Sequence, residues 1–153
     1  GCRDPLRRGG ELLMGQLCTF YLDGSRFCID VAMVQEVLKP QPMTEVPLAS
    51  GRIQGLINLR GRIVSAINLR KCFGMDPGGS ESRDMNVVVR VGESVVSLIV
   101  DQIGDVVEVD EEQFERVPDT LNAKFCDLVQ QICKLPNDLL LVLDPSRVVA
   151  GME

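Results

Sequence analysis

The sequence contains no histidine and no tryptophan, and only 4% of its 153 residues are aromatic. The absence of histidine removes the commonest general base, the phospho-acceptor of sensor kinases and most zinc sites. No apolar run approaches the roughly 20 residues of a membrane-spanning helix. Nucleophile-elbow, P-loop and dinucleotide-binding motifs are also missing. We therefore expect a protein that is not an enzyme and that needs no metal or cofactor.

Positive charge is scarce as well. Lysine and arginine number 16 against 22 aspartate and glutamate residues, which gives a net charge of −6 and a pI of about 4.7. Binding to a phosphate backbone or to an anionic membrane needs a positive field. A small-barrel protein that binds nucleic acid or a small ligand is thus disfavoured by charge, and direct membrane insertion is not expected.

Six cysteines are present, but they form no C-x-x-C pair. They are Cys2, Cys18, Cys28, Cys72, Cys126 and Cys133. Most lie in apolar segments, so we expect buried, reduced thiols that pack as small hydrophobic groups. With no signal-peptide-like segment in the sequence, this indicates a cytoplasmic protein. A redox- or metal-responsive sensor that uses these thiols remains the alternative function.

Acidic residues concentrate in one stretch that runs from Asp101 to Glu112. This cluster could be imagined as a metal site or as an acid–base pair of an enzyme. Its spacing matches no calcium loop, so we interpret the whole cluster, Asp101 included, as a solvated acidic rim.

The segment Arg52–Arg70 has the pattern of a β-hairpin. Apolar residues occupy alternate positions on both sides of Arg60-Gly61, the period of two half-buried strands. Gly61 supplies the positive φ that a tight turn needs. Asn58 and Arg60 then lie at the tip of a stiff ribbon. Physical reasoning alone favours solvated charges there and leaves a binding surface as the second interpretation.

The rest of the chain reads as short strands and short helices. Residues 1–15 are interpreted as a flexible tail, and Asp30 is predicted to cap a helix from Val31 to Leu38. An edge strand is predicted at Thr44–Val46, and Asp144 is predicted to cap a short helix over 145–151. Further strands are predicted at 16–22, 26–31, 85–91, 94–100, 103–109, 125–135 and 139–144.

Short strands without long crossover helices favour small antiparallel barrels over a parallel sheet. The stretch Asp76-Pro-Gly-Gly-Ser-Glu-Ser82 has the composition of a linker. We therefore predict a domain over 16–153 with one subdomain at 16–75, a linker at 76–83 and a second subdomain at 84–144.

Four segments, at Gly55–Gly61, Phe27–Val37, Val95–Asp101 and Leu139–Asp144, together resemble the CheW family, the adaptors of bacterial chemosensory arrays. Gly55-Leu-Ile-Asn-Leu-Arg-Gly61 resembles the family signature. Phe27-Cys-Ile-Asp30 with Val34-Gln-Glu-Val37, Val95-Val-Ser-Leu-Ile-Val-Asp101 and Leu139-Leu-Leu-Val-Leu-Asp144 resemble three further blocks in the same order. The resemblance implies a mainly β fold of two five-stranded SH3-like barrels side by side, with a few short helices.

The same resemblance implies a non-catalytic adaptor that couples chemoreceptors to the histidine kinase CheA. Its partners would be the regulatory domain of CheA, the cytoplasmic tip of a chemoreceptor, and other CheW-like domains in the array. Position by position, it assigns Glu36, Gly55, Asn58 and Arg60 to the receptor side. It assigns Cys18, Val31 and Val34 to the kinase side, although apolar residues at such positions are more often part of a core.

Overall fold

Two β-sheets account for more than half of the described residues, as the absence of long helical patterns predicts. The computed structural model describes residues 15–47, 51–75, 85–121 and 127–150, together with the backbone of 7–8 and 11–12. The described strands are β1 (Arg7–Arg8), β2 (Glu11–Leu12), β3 (Gly15–Leu22), β4 (Ser25–Asp30), β5 (Val34–Leu38), β6 (Ile53–Leu59), β7 (Arg62–Asn68), β8 (Met85–Val91), β9 (Ser94–Val100), β10 (Gln102–Val109), β11 (Phe114–Glu115), β12 (Val129–Leu135) and β13 (Asp138–Leu143). The helical elements with described bounds are the 3-10 turns η1 (Val31–Met33) and η2 (Glu111–Gln113) and the α-helices α1 (Leu69–Cys72) and α2 (Pro145–Ala150).

The first sheet has the strand order β10-β3-β4-β13-β12-β11, and the second has the order β5-β8-β9-β7-β6. Neighbouring strands are antiparallel except for the pairs β4–β13 and β7–β9, which are parallel. The predicted mainly β architecture with two small barrels and few short helices is confirmed. The first sheet holds six strands instead of five because the two-residue strand β11 joins its edge.

The apolar residues form one core between the sheets and one inside each of them. The shared core contains Phe20 and Phe27 of the first sheet together with Val87 and Leu98 of the second. A smaller cluster around Leu17 fills the first barrel, and another around Val64 fills the second. Because strands of both sheets bury both of their faces, runs such as Val87–Val89 are apolar without alternation.

The strands do not divide the chain into two consecutive subdomains. Strands β3 and β4 pair with β10–β13, whereas β5–β9 make up the second sheet. The predicted first subdomain, 16–75, therefore contributes strands to both sheets, and so does the predicted second subdomain, 84–144. The predicted linker, 76–83, lies entirely outside the described residues, as does the predicted tail apart from 7–8, 11–12 and Gly15.

The helix predicted for Val31–Leu38 is wrong over most of its length. Asp30 does cap a helical turn, since its Oδ1 accepts a hydrogen bond from the backbone N–H of Ala32 at 2.9 Å. The turn ends at Met33, and the following residues form β5 against β8. Pairing of β-branched residues across a sheet, such as Val37 with Val87, outweighs the weak preference of eight residues for a helix.

The other hairpins follow the predicted pattern, except that the strand predicted at 125–135 begins only at Val129, after a helical turn at 127–128. Strands β8 and β9 have the predicted bounds, and the turn at Asp23-Gly24 joins β3 to β4. The α2 helix begins at Pro145, after Asp144 Oδ1 accepts a hydrogen bond from the backbone N–H of Ser146 at 3.0 Å. The predicted edge strand at Thr44–Val46 is reduced to a single bridge between Thr44 and Leu56.

Candidate functional site

The β6–β7 hairpin ends in a turn whose two central residues both have positive φ. Arg60 has a φ of 55° and Gly61 a φ of 84°, the combination of a type I′ turn that matches the twist of the two strands. The Oδ1 of Asn58 accepts a hydrogen bond from the backbone N–H of Gly61 at 2.9 Å. Asn58 therefore fixes the shape of the tip, and Arg60 is displayed on it.

Arg60 and Glu36 form a two-pronged ion pair on the surface. Nη1 of Arg60 donates to Oε2 of Glu36 at 2.8 Å, and Nη2 donates to Oε1 at 2.6 Å. The Arg60 side chain is 74% exposed and that of Glu36 is 21% exposed. The hydrogen bonds to the carboxylate raise the pKa of Arg60 further above its ordinary value. The pair holds a guanidinium in one orientation while leaving most of it open to a partner.

This ion pair crosses from β5 to the tip of β6, the two edge strands of the second sheet. We call the line where these two edges meet the seam of the second barrel. Glu36 lies on β5 and Arg60 follows β6, and these strands are the two ends of the second sheet. The segment after β5 reaches β6 through two backbone hydrogen bonds between Thr44 and Leu56, at 2.9 and 2.8 Å. The site thus joins two edges that lie far apart along the sheet.

Gly55 makes the seam possible. A Cβ at this position would lie 2.8 Å from the carbonyl oxygen of Thr44 and 3.1 Å from the Cβ of Met43. Only a residue without a side chain lets the two backbones approach this closely. Gly55, which the resemblance assigns to the receptor side, has a clear structural role here.

The model of the family described as CheW-like domain matches residues 16–153. The chain belongs to the CheW-like family.

Relatives of this CheW-like chain cover nearly its whole length. Chemotaxis protein CheW of Treponema pallidum is 29% identical over 142 residues, which is 90% of this chain and 84% of that protein. Chemotaxis protein CheW of Bacillus subtilis is 29% identical over 140 residues, 91% of this chain and 90% of that protein. The crystal structure of scaffolding protein TtCheW from Thermoanaerobacter tengcongensis matches with a TM-score of 0.78 and 28% identity, covering 86% of this chain and 90% of that one.

The three residues assigned to the kinase side of the CheW-like fold differ in exposure. Cys18 is only 5% exposed and lies on β3 between Ile29 of β4 and Val106 of β10. Val31 and Val34 are partly buried, and Val34 packs against the shared core. Cys18 thus has little surface to offer a partner, whereas the two valines retain some.

The two sets of site residues meet on β5. Val34 and Glu36 lie two positions apart on this strand, with an irregularity in its pairing to β8 between them. The surfaces assigned to the kinase and to the receptor are therefore neighbours in this CheW-like domain, and β5 links them.

Sequence reasoning missed a buried ion pair between Arg70 and Asp101. Nε of Arg70 donates to Oδ1 of Asp101 at 2.7 Å, and Nη2 donates to Oδ2. The two side chains are 6% and 8% exposed. Asp101 therefore does not belong to a solvated acidic rim, although most of the later acids of that cluster, such as Glu108, are exposed. The sequence around Asp101 offered no signal for this pair, since Asp110 also follows a buried valine, Val109, and is exposed.

The thiols of the CheW-like domain do not support the sensor alternative. Cys18, Cys28, Cys72 and Cys133 are free and buried, while Cys2 and Cys126 lie outside the described residues. Burial raises the pKa of all four thiols, to about 11 for Cys72 and Cys133, with the charge of Asp110 adding to the rise at Cys133. Within the described part of the chain, no group of three or more potential ligand residues could hold a metal.

In the described ranges, no helix of the CheW-like chain has both the length and the apolar character needed to cross a membrane.

Proposed function

We propose that this chain is a non-catalytic scaffold that couples chemoreceptors to a CheA-type histidine kinase. Membership of the CheW-like family supports this proposal, as do relatives named chemotaxis proteins and a structural match named a scaffolding protein. The single observation that carries it at the level of residues is the exposed ion pair of Glu36 and Arg60. We further propose a cytoplasmic location, with attachment to membrane receptor arrays through partners and through other CheW-like domains.

The ion pair supports a receptor-binding role because it is costly to hold and gives little stability in return. Ordering two long side chains on a surface opposes their ionic attraction, so exposed pairs contribute little to folding. What the pair does supply is a guanidinium in a fixed orientation, with Nε still available as a donor. Such a fork suits carboxylates and carbonyl groups of a partner.

The proposed kinase surface consists of Val31, Val34 and strand β5, which begins at Val34. Stable interfaces have a dry apolar centre surrounded by polar groups. The partly exposed valines offer a small apolar centre, with Glu36 beside it on β5.

A binding experiment with two partners tests this function. The purified chain is offered, separately, the regulatory domain of a CheA-type kinase and the cytoplasmic tip of a chemoreceptor. We expect both to bind. Glu36→Lys places two cations side by side and should weaken receptor binding while leaving most kinase binding intact. If the native chain binds neither partner, the proposal is wrong, and equal loss of both in the variant would indicate a folding defect.

A further inference from the structure

A cleft of about 300 Å³ lies where the chain passes from the first sheet to the second. Three segments line it, one of which contains Gln130. Asp30 and Met33 come from the end of β4 and from η1, and Leu143, Asp144 and Pro145 come from the end of β13 and the start of α2. None of these residues takes part in the Glu36–Arg60 pair.

Two carboxylates at the cleft have acceptor capacity left over. Each uses its Oδ1 to cap a helical turn, through the hydrogen bonds from Ala32 and Ser146. Oδ2 of Asp144 also meets Nε of Arg147 at 3.4 Å, in a pair whose side chains are both partly exposed. A carboxylate offers about four acceptor positions, so both Asp30 and Asp144 can still accept hydrogen bonds from a ligand.

A β-bulge brings a third polar group to the cleft. In the β12–β13 ladder, Val129 pairs with Leu143 and Gln131 pairs with Val142. Gln130 is the extra residue between them, and it lines the cleft. Bulges turn side chains away from the regular alternation and are frequent beside binding sites. Gln130 thus adds a neutral amide to a lining that also holds the two carboxylates.

Apart from Ser146, the remaining lining is apolar, and the segments of the first sheet carry an excess of negative charge. Met33, Leu143 and Pro145 offer carbon surface to a ligand. In the described segments that build the first sheet, residues 15–30, 101–121 and 127–150, acidic side chains outnumber basic ones thirteen to four. Such a field attracts cations and repels anions.

We propose that this cleft binds the side chain of a lysine or arginine presented by a partner protein. The cationic group donates hydrogen bonds to Asp30, Asp144 and Gln130. The aliphatic stem packs against Met33, Leu143 and Pro145. Lysine and arginine commonly bury their methylene groups against apolar surface in this way while the charged end stays solvated or paired. A cleft of this size and mixed lining suits one amphipathic side chain better than a bare metal ion.

The position of the cleft indicates which partner supplies the basic residue. Met33 lies between Val31 and Val34, the residues assigned to the kinase side. We therefore identify the partner as the regulatory domain of the kinase, an identification that rests on the proposed function. The cleft and the valines would then form one continuous surface, with an ionic anchor beside an apolar centre.

Titration with n-butylguanidinium chloride, followed by NMR of the 15N-labelled chain, tests the cleft without any partner. n-Butylurea is the matched control because it has nearly the same shape and no charge. We expect saturable shifts of the amide signals of Met33, Gln130 and Ser146 with the cation and much smaller shifts with the urea. The variant Asp30→Asn/Asp144→Asn should bind the cation at least about tenfold more weakly, since charged acceptors make the stronger hydrogen bonds. Asparagine still caps both helical turns, so this variant should fold.

The control variant is Asp105→Asn/Asp119→Asn, which removes the same charge from exposed positions outside the cleft. Equal weakening in both variants, equal shifts with the urea, or shifts spread over the acidic surface would overturn the proposal.

A second measurement, with the kinase regulatory domain, tests the partner. Weaker kinase binding by the cleft variant alone supports the assignment, and unchanged kinase binding overturns it. If the native chain binds the cation but not the kinase, the proposed function fails while the cleft stands.

Discussion

Glu36 and Arg60 are distant in sequence but in direct contact in the fold. Twenty-four positions separate them, yet their side chains form two hydrogen bonds across the seam of the second barrel. Asn58 and Gly55, which belong to the same motif, serve the backbone instead, one at the turn and one at the seam. The motif therefore combines one displayed side chain with the residues that hold it in place.

Replacing Arg60 with alanine should weaken binding of the receptor tip while hardly changing the urea unfolding curve. The side chain is exposed, and its ion pair adds little to stability. Arg60→Lys is the matched control, because it keeps the charge but loses the two-pronged geometry. Titration calorimetry against the receptor tip should rank the native chain above the lysine variant and the lysine variant above the alanine variant. A large loss of stability in the alanine variant would instead assign Arg60 to the fold.

Among the elements, strand β5 differs most from its prediction and carries the most proposed site residues. It replaces a predicted helix, carries Val34 and Glu36, and forms one side of the seam. Its alternation of partly buried and exposed residues is typical of an edge strand with one face on a core. The element that brings the proposed surfaces together is therefore the one that local sequence pattern described least well.

Replacing Gly55 with alanine should loosen the seam and lower stability by about 1–3 kcal/mol, the usual cost of forcing atoms into a packed site. The added Cβ would collide with the carbonyl oxygen of Thr44, which is rigid backbone. Gly51→Ala is the matched control, since a Cβ there meets no atom within 4 Å. Urea denaturation measures both variants. Equal stability of the two would show that the seam opens without cost.

Replacing Val34 with aspartate should abolish binding of the kinase regulatory domain and leave the receptor tip bound. The charge would enter the centre of the proposed apolar surface, where desolvation without a partner is costly. Val37→Asp makes the same change on the same strand at a side chain that is 39% exposed, and it should affect kinase binding less. Circular dichroism checks that both variants fold. Equal effects of the two substitutions would move the kinase surface away from Val34.

At the scale of the whole molecule, Arg70 and Asp101 tie the two sheets together. Arg70 lies in α1, which follows a strand of the second sheet, and Asp101 stands between β9 of the second sheet and β10 of the first. Oδ2 of Asp101 also accepts a hydrogen bond at 2.8 Å from the backbone N–H of Asp23, in the turn between β3 and β4. One buried carboxylate thus connects three segments from both sheets.

Replacing Arg70 with methionine should lower the free energy of unfolding by about 3–5 kcal/mol, because Asp101 would stay buried without its guanidinium. Lys134→Met is the control, since Lys134 pairs with Glu115 and both side chains are about half exposed. It should change stability by less than about 1 kcal/mol. Urea denaturation followed by circular dichroism measures both. A loss at Arg70 no greater than that at Lys134 would mean that the buried pair does not hold the sheets together.

The sequence by itself determined the hairpins and their turns. Strands β8 and β9, the turn at Asp23-Gly24 and the start of α2 depend on alternation, turn residues and caps that lie within a few positions of one another. The Asn-Leu-Arg-Gly segment could be recognised for the same reason, since its hairpin is a local structure. The family and the mainly β fold followed from such local patterns taken in order.

Only the tertiary structure decided which strands share a sheet and which polar groups meet. Strand β5 formed because β8, about fifty residues away, was there to pair with it. Asp101 is buried because Arg70 and the Asp23 turn surround it, and no pattern around Asp101 alone distinguishes it from the exposed acids that follow. These outcomes depend on contacts between distant segments, whose free energy exceeds local preference once the cores form.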